Sequence, residues 1–136
     1  MLYLDSSALV KLYLLEAESQ TVEGLVQRHE PLLFASIVAY PEVLSTLVRA
    51  LHAHRISKPA HRLAERRLPR DWARLNVVEL NPFVLAPAAA LIEKHGLRGF
   101  DAVHLCSALW LGRPDFLCFD QRLSAAALAE GLRLVP

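Results

Sequence analysis

The chain has 136 residues, enough for one domain with a real core, and it reads as a single domain over 1–136. Hydrophobic residues make up 54%, which excludes a disordered chain, and no apolar run is long enough for a membrane span. The net charge is only +1, but residues 49–74 hold eight Lys and Arg against Glu65 and Asp71, a net of +6 that leaves −5 for the rest.

Met1 to Leu4 is a short apolar strand that ends at Asp5, so the N-terminus does not read as a secretory signal. Ser6 and Ser7 can cap a helix running to about Leu15. A second helix covers about 18–27, and Pro31 starts a strand over 32–35. Ser36 can cap a helix over roughly 37–54, with Pro41 early enough to be tolerated. Ser57-Lys58-Pro59 opens another helix, which Pro69 should end near Leu68. Residues 76–80 form a strand, 87–95 a helix stopped by Gly96, and 100–111 a helix stopped by Gly112. Strand 116–119, helix 124–130 stopped by Gly131 and strand 132–135 complete the chain.

Strands alternate with helices, and several strands are continuous apolar runs, as expected when both faces are covered. The fold class is therefore α/β, a three-layer α/β/α sandwich with a mostly parallel central sheet. In such sheets ligands bind beyond the carboxyl ends of the strands. Asp5 and Asp120 both follow apolar strands at that edge, whereas Asp115 reads as a turn residue after Pro114 at the opposite edge. Glu42 and Asp101 each stand in the first turn of a helix. Four converging carboxylates repel unless a cation neutralises them, and hard oxygen-ligated Mg²⁺ or Mn²⁺ is the natural partner. Such a site suits phosphodiester cleavage.

Each acid also has a plainer reading. Asp5 and Asp101 sit where helix caps occur, and Glu42 where the helix dipole favours an acid. Glu42 shares a helix face with Ser45, Thr46 and Arg49. His104 has helical spacing with Asp101, but a lone His on an apolar helix is more often a satisfied core residue. Arg49, Arg62, Arg66 and Arg67 are candidate contacts to phosphate, or members of a solvated helix face. Cys106 and Cys118 read as buried free thiols of a reducing, cytoplasmic compartment.

Asp-Ser-Ser-Ala-Leu-Val-Lys at 5–11, Glu42, Arg98-Gly99-Phe100-Asp101-Ala102-Val103-His104-Leu105 and Phe119-Asp120-Gln121-Arg122-Leu123 together resemble the PIN-domain family. More narrowly they resemble VapC-type toxins of bacterial toxin–antitoxin pairs, across essentially the whole chain. The resemblance implies an endoribonuclease dependent on Mg²⁺ or Mn²⁺. Asp5, Glu42, Asp101 and Asp120 match its acidic quartet and metal ligands, and Ser7 matches its small polar position two after the first acid. On the residues themselves, a hydroxyl of Ser6 or Ser7 would hold the Asp5 carboxylate or a metal-bound water. It also implies an RNA substrate, a cognate antitoxin and a homodimer. Cys118 stands where many relatives have Thr or Ser, and a thiol is the weaker partner for supporting Asp120.

Two rivals remain at this point. A phosphotransfer or phosphatase domain would use Asp5 as nucleophile, but Asp-Ser-Ser lacks the second acid two positions on that many such phosphatases carry. A binding module that keeps the fold without catalysis is the other, and the presence of all four acids argues against it.

Overall fold

The computed structural model describes all 136 residues. Five strands, β1 (Leu2–Leu4), β2 (Leu33–Ser36), β3 (Asn76–Val78), β4 (Asp115–Leu117) and β5 (Arg133–Leu134), form one sheet in the order β3-β2-β1-β4-β5. Every pairing is parallel; Tyr3 of β1 lies opposite Phe34 of β2 and Phe116 of β4. Eight helices surround it: α1 (Ser6–Leu9), α2 (Ser19–His29), α3 (Ala39–His52), α4 (Lys58–Trp72), α5 (Pro82–Leu85), α6 (Ala88–His95), α7 (Gly99–Trp110) and α8 (Gln121–Ala129).

The side-chain period of two divides the sheet cleanly. Leu2 and Leu4 face a core with Leu33, Val43, Leu47 and Leu68, covered by α1 to α4. Tyr3 and Phe116 face a second core with Leu105, Leu123 and Val84, covered by α5 to α8. Two apolar layers on one sheet give the α/β/α sandwich expected from the sequence.

The chain winds outward from β1 through β2 to β3, then crosses back to add β4 and β5 on the other side. The reversal lies between β1 and β4. Loops leave the carboxyl ends of these two strands in opposite directions, which opens a crevice there. Asp5 immediately follows β1, and Asp120 follows β4 by three residues.

Several sequence expectations need correction. Asp5 itself caps α1, accepting from the Ala8 N–H at 2.9 Å, so Ser6 and Ser7 lie inside the helix. That helix is one turn long and tightens into a 3₁₀ turn over Val10–Leu12. Ser36 is the last residue of β2, paired with Val78, and α3 begins at Ala39 without a side-chain cap. Pro69 does not end α4. Leu68 is buried below it, and Trp72 packs edge-on against Tyr40 with ring centroids 5.1 Å apart, so packing carries the last turn past the missing N–H. The short helix α5, capped by the Asn81 side chain, was not foreseen. Asp115 is the first residue of β4, ion-paired with Arg133 of β5, and not a turn residue.

Candidate active site

The fold brings the carboxylates to the crevice from four elements. Asp5 is only 2% exposed. The Ser7 hydroxyl lies 2.7 and 2.9 Å from its two oxygens, and the Cys118 thiol donates to Oδ2 at 3.1 Å. Burial pushes the Asp5 carboxyl above its usual range, and His104, Ser7, Cys118 and the Ala8 N–H pull it part of the way back. Ser7 also accepts the Phe119 N–H at 2.8 Å, which ties the loop after β4 to α1. Ser7 rather than Ser6 makes these bonds, although both line the cleft.

Cys118 sits differently from the sequence expectation. Its thiol supports Asp5 directly and receives the Asp120 backbone N–H at 3.3 Å. Asp120 draws its own support from capping α8, accepting from Leu123 N–H at 2.8 Å.

Asp101 stands in the first turn of α7. Burial, and then the charges of Asp120 and Glu42, hold its carboxyl above the usual range. The fold thus sets Asp120 and Glu42 close enough to oppose the ionisation of Asp101. Glu42, in the first turn of α3, is tied to the same cluster by His104, whose Nε2 donates to Oε1 at 2.6 Å. As the side chains stand, no three His, Cys, Asp or Glu groups close into a set able to hold an ion. The donor chemistry nonetheless fits a hard divalent cation: the groups are carboxylate oxygens, and the charge opposition at Asp101 is what a cation would relieve.

A cleft of about 570 Å³ opens beside the cluster, lined by Ser6, Ser7, Glu42, Arg49, Phe100 and Phe119 among others. A second hollow across Phe119 holds Asp101 and Asp120 between Arg98 and Arg122. Of the four candidate arginines only Arg49 reaches the cleft, steadied by Ser45 at 2.7 Å and Thr46 at 3.0 Å. Arg62 and Arg66 are exposed on α4 and do not line it. Arg67 contacts the Leu12 carbonyl at 3.4 Å and Asp71 at 3.7 Å, so its guanidinium is part of the packing between α4 and the α1 region.

Sequence reasoning missed Lys11 here and read only one of the two roles of His104. Lys11 lies in the cleft wall, 4.5 Å above the Phe119 ring and bonded to Glu16 at 2.6 Å and Glu18 at 2.8 Å. No spacing signal marks it. His104 was read as a core residue and is one, but it is also the partner of Glu42; its i+3 spacing from Asp101 was the only signal.

Comparison with known proteins fits this geometry. The PIN domain family profile matches residues 2–129. The chain belongs to the PIN domain family. Among curated relatives, Ribonuclease VapC45 and Ribonuclease VapC49 of two Mycobacterium tuberculosis strains are each 38% identical, covering 100% of this chain and 95% of theirs. A chain of FitAcB from Neisseria gonorrhoeae superposes with a TM-score of 0.76 at 13% identity, covering 100% of this chain and 97% of that one. M. tuberculosis VapC20, a sarcin-ricin loop cleaving toxin, gives 0.72 at 20% identity over 93% and 95%. These structural likenesses speak for the fold, and the full-length relatives for the family.

Proposed function

We infer that this PIN domain is a divalent-metal-dependent ribonuclease that hydrolyses RNA phosphodiester bonds, and that it is the toxin of a toxin–antitoxin pair. The observation that supports this is the coupling of Asp101 to Asp120 and Glu42, which with burial holds its carboxyl above the ordinary range, near the edge where Asp5 follows β1 and the sheet order reverses. Full-length similarity to proteins named Ribonuclease VapC supports the substrate class.

On this reading Asp5, Glu42, Asp101 and Asp120 hold Mg²⁺ or Mn²⁺. The bound cation would supply an activated water and offset charge on the scissile phosphate. Ser7 keeps the Asp5 carboxylate oriented, with Ser6 beside it. Arg49 is placed in the cleft to meet a phosphate, and the exposed Arg62 and Arg66 extend positive charge along α4, whereas Arg67 is held by Leu12 and Asp71. A small antitoxin protein and a homodimeric state belong to the same proposal. No helix is long and apolar enough to cross a membrane.

The test is incubation of a mixed RNA pool with the protein in Mn²⁺, in Mg²⁺ and in EDTA, followed by analysis of the product ends. Cleavage in metal that leaves 5′-phosphate and 3′-hydroxyl ends supports attack by water. Products ending in 2′,3′-cyclic phosphate would instead mean attack by the RNA 2′-hydroxyl and would rule the mechanism out.

A further inference from the structure

One buried histidine ties the proposed site to the sheet core. His104, on α7, is 1% exposed, and both ring nitrogens have partners. Nε2 lies 2.6 Å from Glu42 Oε1. An ionised carboxylate only accepts, so Nε2 carries the proton and donates. Nδ1 lies 2.9 Å from the Tyr3 hydroxyl. In the neutral ring Nδ1 is then the acceptor, and the Tyr3 O–H donates to it.

Tyr3 is a rigid anchor for this chain of bonds. It is fully buried at the centre of β1 and stacks on Phe116 with centroids 5.3 Å apart and planes 4° from parallel. The sequence Tyr3–His104–Glu42 therefore runs from the sheet core to the cleft wall, across β1, α7 and α3. Glu42 needs such a tether. It stands in the first turn of a helix, and Thr46 bonds its main-chain carbonyl, leaving the carboxylate itself to His104. A free glutamate side chain samples several rotamers and must lose that freedom to bind anything.

We propose that His104 is the positioning residue of the site: backed by Tyr3, it fixes the Glu42 carboxylate for the cation that the ribonuclease reading requires, and the inference rests on that reading. Partners that orient a ligating group commonly matter to metal affinity by about 10–100-fold. A buried histidine that merely fills space would not.

Mn²⁺ binding, followed through the free-ion electron paramagnetic resonance signal, separates the two roles without needing the RNA target. His104→Phe keeps a planar ring and removes both polar atoms; it should weaken Mn²⁺ binding by about 10–100-fold. His104→Gln retains a side-chain donor toward Glu42 and should recover most of that loss. The Glu42→Gln/His104→Phe double variant should bind no more weakly than Glu42→Gln alone, because His104 acts through Glu42. Tyr3→Phe keeps the ring stack and frees Nδ1, so it should weaken binding in the same direction even if His104→Phe fails to fold. Unchanged affinity in folded His104→Phe, full additivity in the double variant, or unchanged affinity in Tyr3→Phe where His104→Phe does not fold, would overturn the proposal. A wild-type protein that binds no Mn²⁺ would overturn the ribonuclease reading along with it.

Discussion

Cys118 Sγ lies 3.1 Å from Asp5 Oδ2 and donates to a carboxylate already held by Ser7 and the Ala8 N–H. Burial, and then the negative charge of Asp5, push the thiol pKa far above its usual value. The thiolate is the nucleophile, so Cys118 should be slow to alkylate at pH 8 despite its partial exposure. Asp5→Asn removes the charge but not the burial, so labelling should speed up without reaching the rate of free cysteine. Peptide mass spectrometry over an iodoacetamide time course checks both. Native Cys118 reacting at the free-cysteine rate would contradict this geometry.

Asp101 predicts a conflict between stability and function. Its carboxyl is raised by burial and by the charges of Asp120 and Glu42, so the ionised form opposes folding at neutral pH. The sign follows: the penalty is absent below the unfolded value of 3.8, and it is complete above the raised folded value. Asp101→Asn removes the penalty. The metal-free variant should melt a few degrees higher than the wild type at pH 7, while the upward shift that Mn²⁺ gives the wild type by mass action should vanish. Thermal melts with and without Mn²⁺ read both effects.

Lys11 makes an opposite prediction about acid. Its ammonium holds the Glu16 carboxyl below the usual 4.5, with Arg55 assisting. A depressed carboxylate contributes stability that is complete above the unfolded pKa and is lost as pH falls through the lower folded value. Lys11→Met should lower stability at pH 7 and flatten the decline below about pH 4.5. Urea unfolding at pH 7 and in steps down to pH 3 measures the difference. Wild type and variant losing stability in parallel would mean the pair adds nothing to the pH dependence.

The arginines divide by position. Arg49 reaches the cleft, whereas Arg67 is engaged by Leu12, Asp71 and the Tyr13 ring. Arg49→Ala should raise KM for RNA and reduce the salt slope of binding by roughly 1. Arg67→Ala should lower the melting temperature and leave that slope in place. Filter binding across a salt series, beside thermal melts, distinguishes them.

What the sequence revealed follows the range of the interactions. Asp5 and Asp120 were legible because a short apolar run followed by an acid is a local pattern, and parallel sheets place such ends on one edge. The layered fold was legible for the same reason: strand and helix periods are local. The tie between Glu42 and His104 spans 62 residues and exists only because the fold brings α3 and α7, from opposite faces of the sheet, within side-chain reach, so no spacing rule exposes it. Lys11 was missed because its partners Glu16 and Glu18 come into reach only through the 3₁₀ turn that follows α1. Ser36 and Pro69 misled for a related reason. Ladder pairing with Val78 and packing of Trp72 on Tyr40 override the local preferences of a cap and a helix breaker.

The most direct test of the central claim is cleavage of a mixed RNA pool in Mn²⁺ by the wild type, Asp5→Asn and Asp101→Asn proteins side by side, each freed of antitoxin and each repeated in EDTA. Cutting by the wild type that disappears in EDTA and in both folded variants is the predicted result. Cutting that persists in EDTA, or in either variant at the wild-type rate, would contradict a carboxylate-held metal site at the β1–β4 crevice.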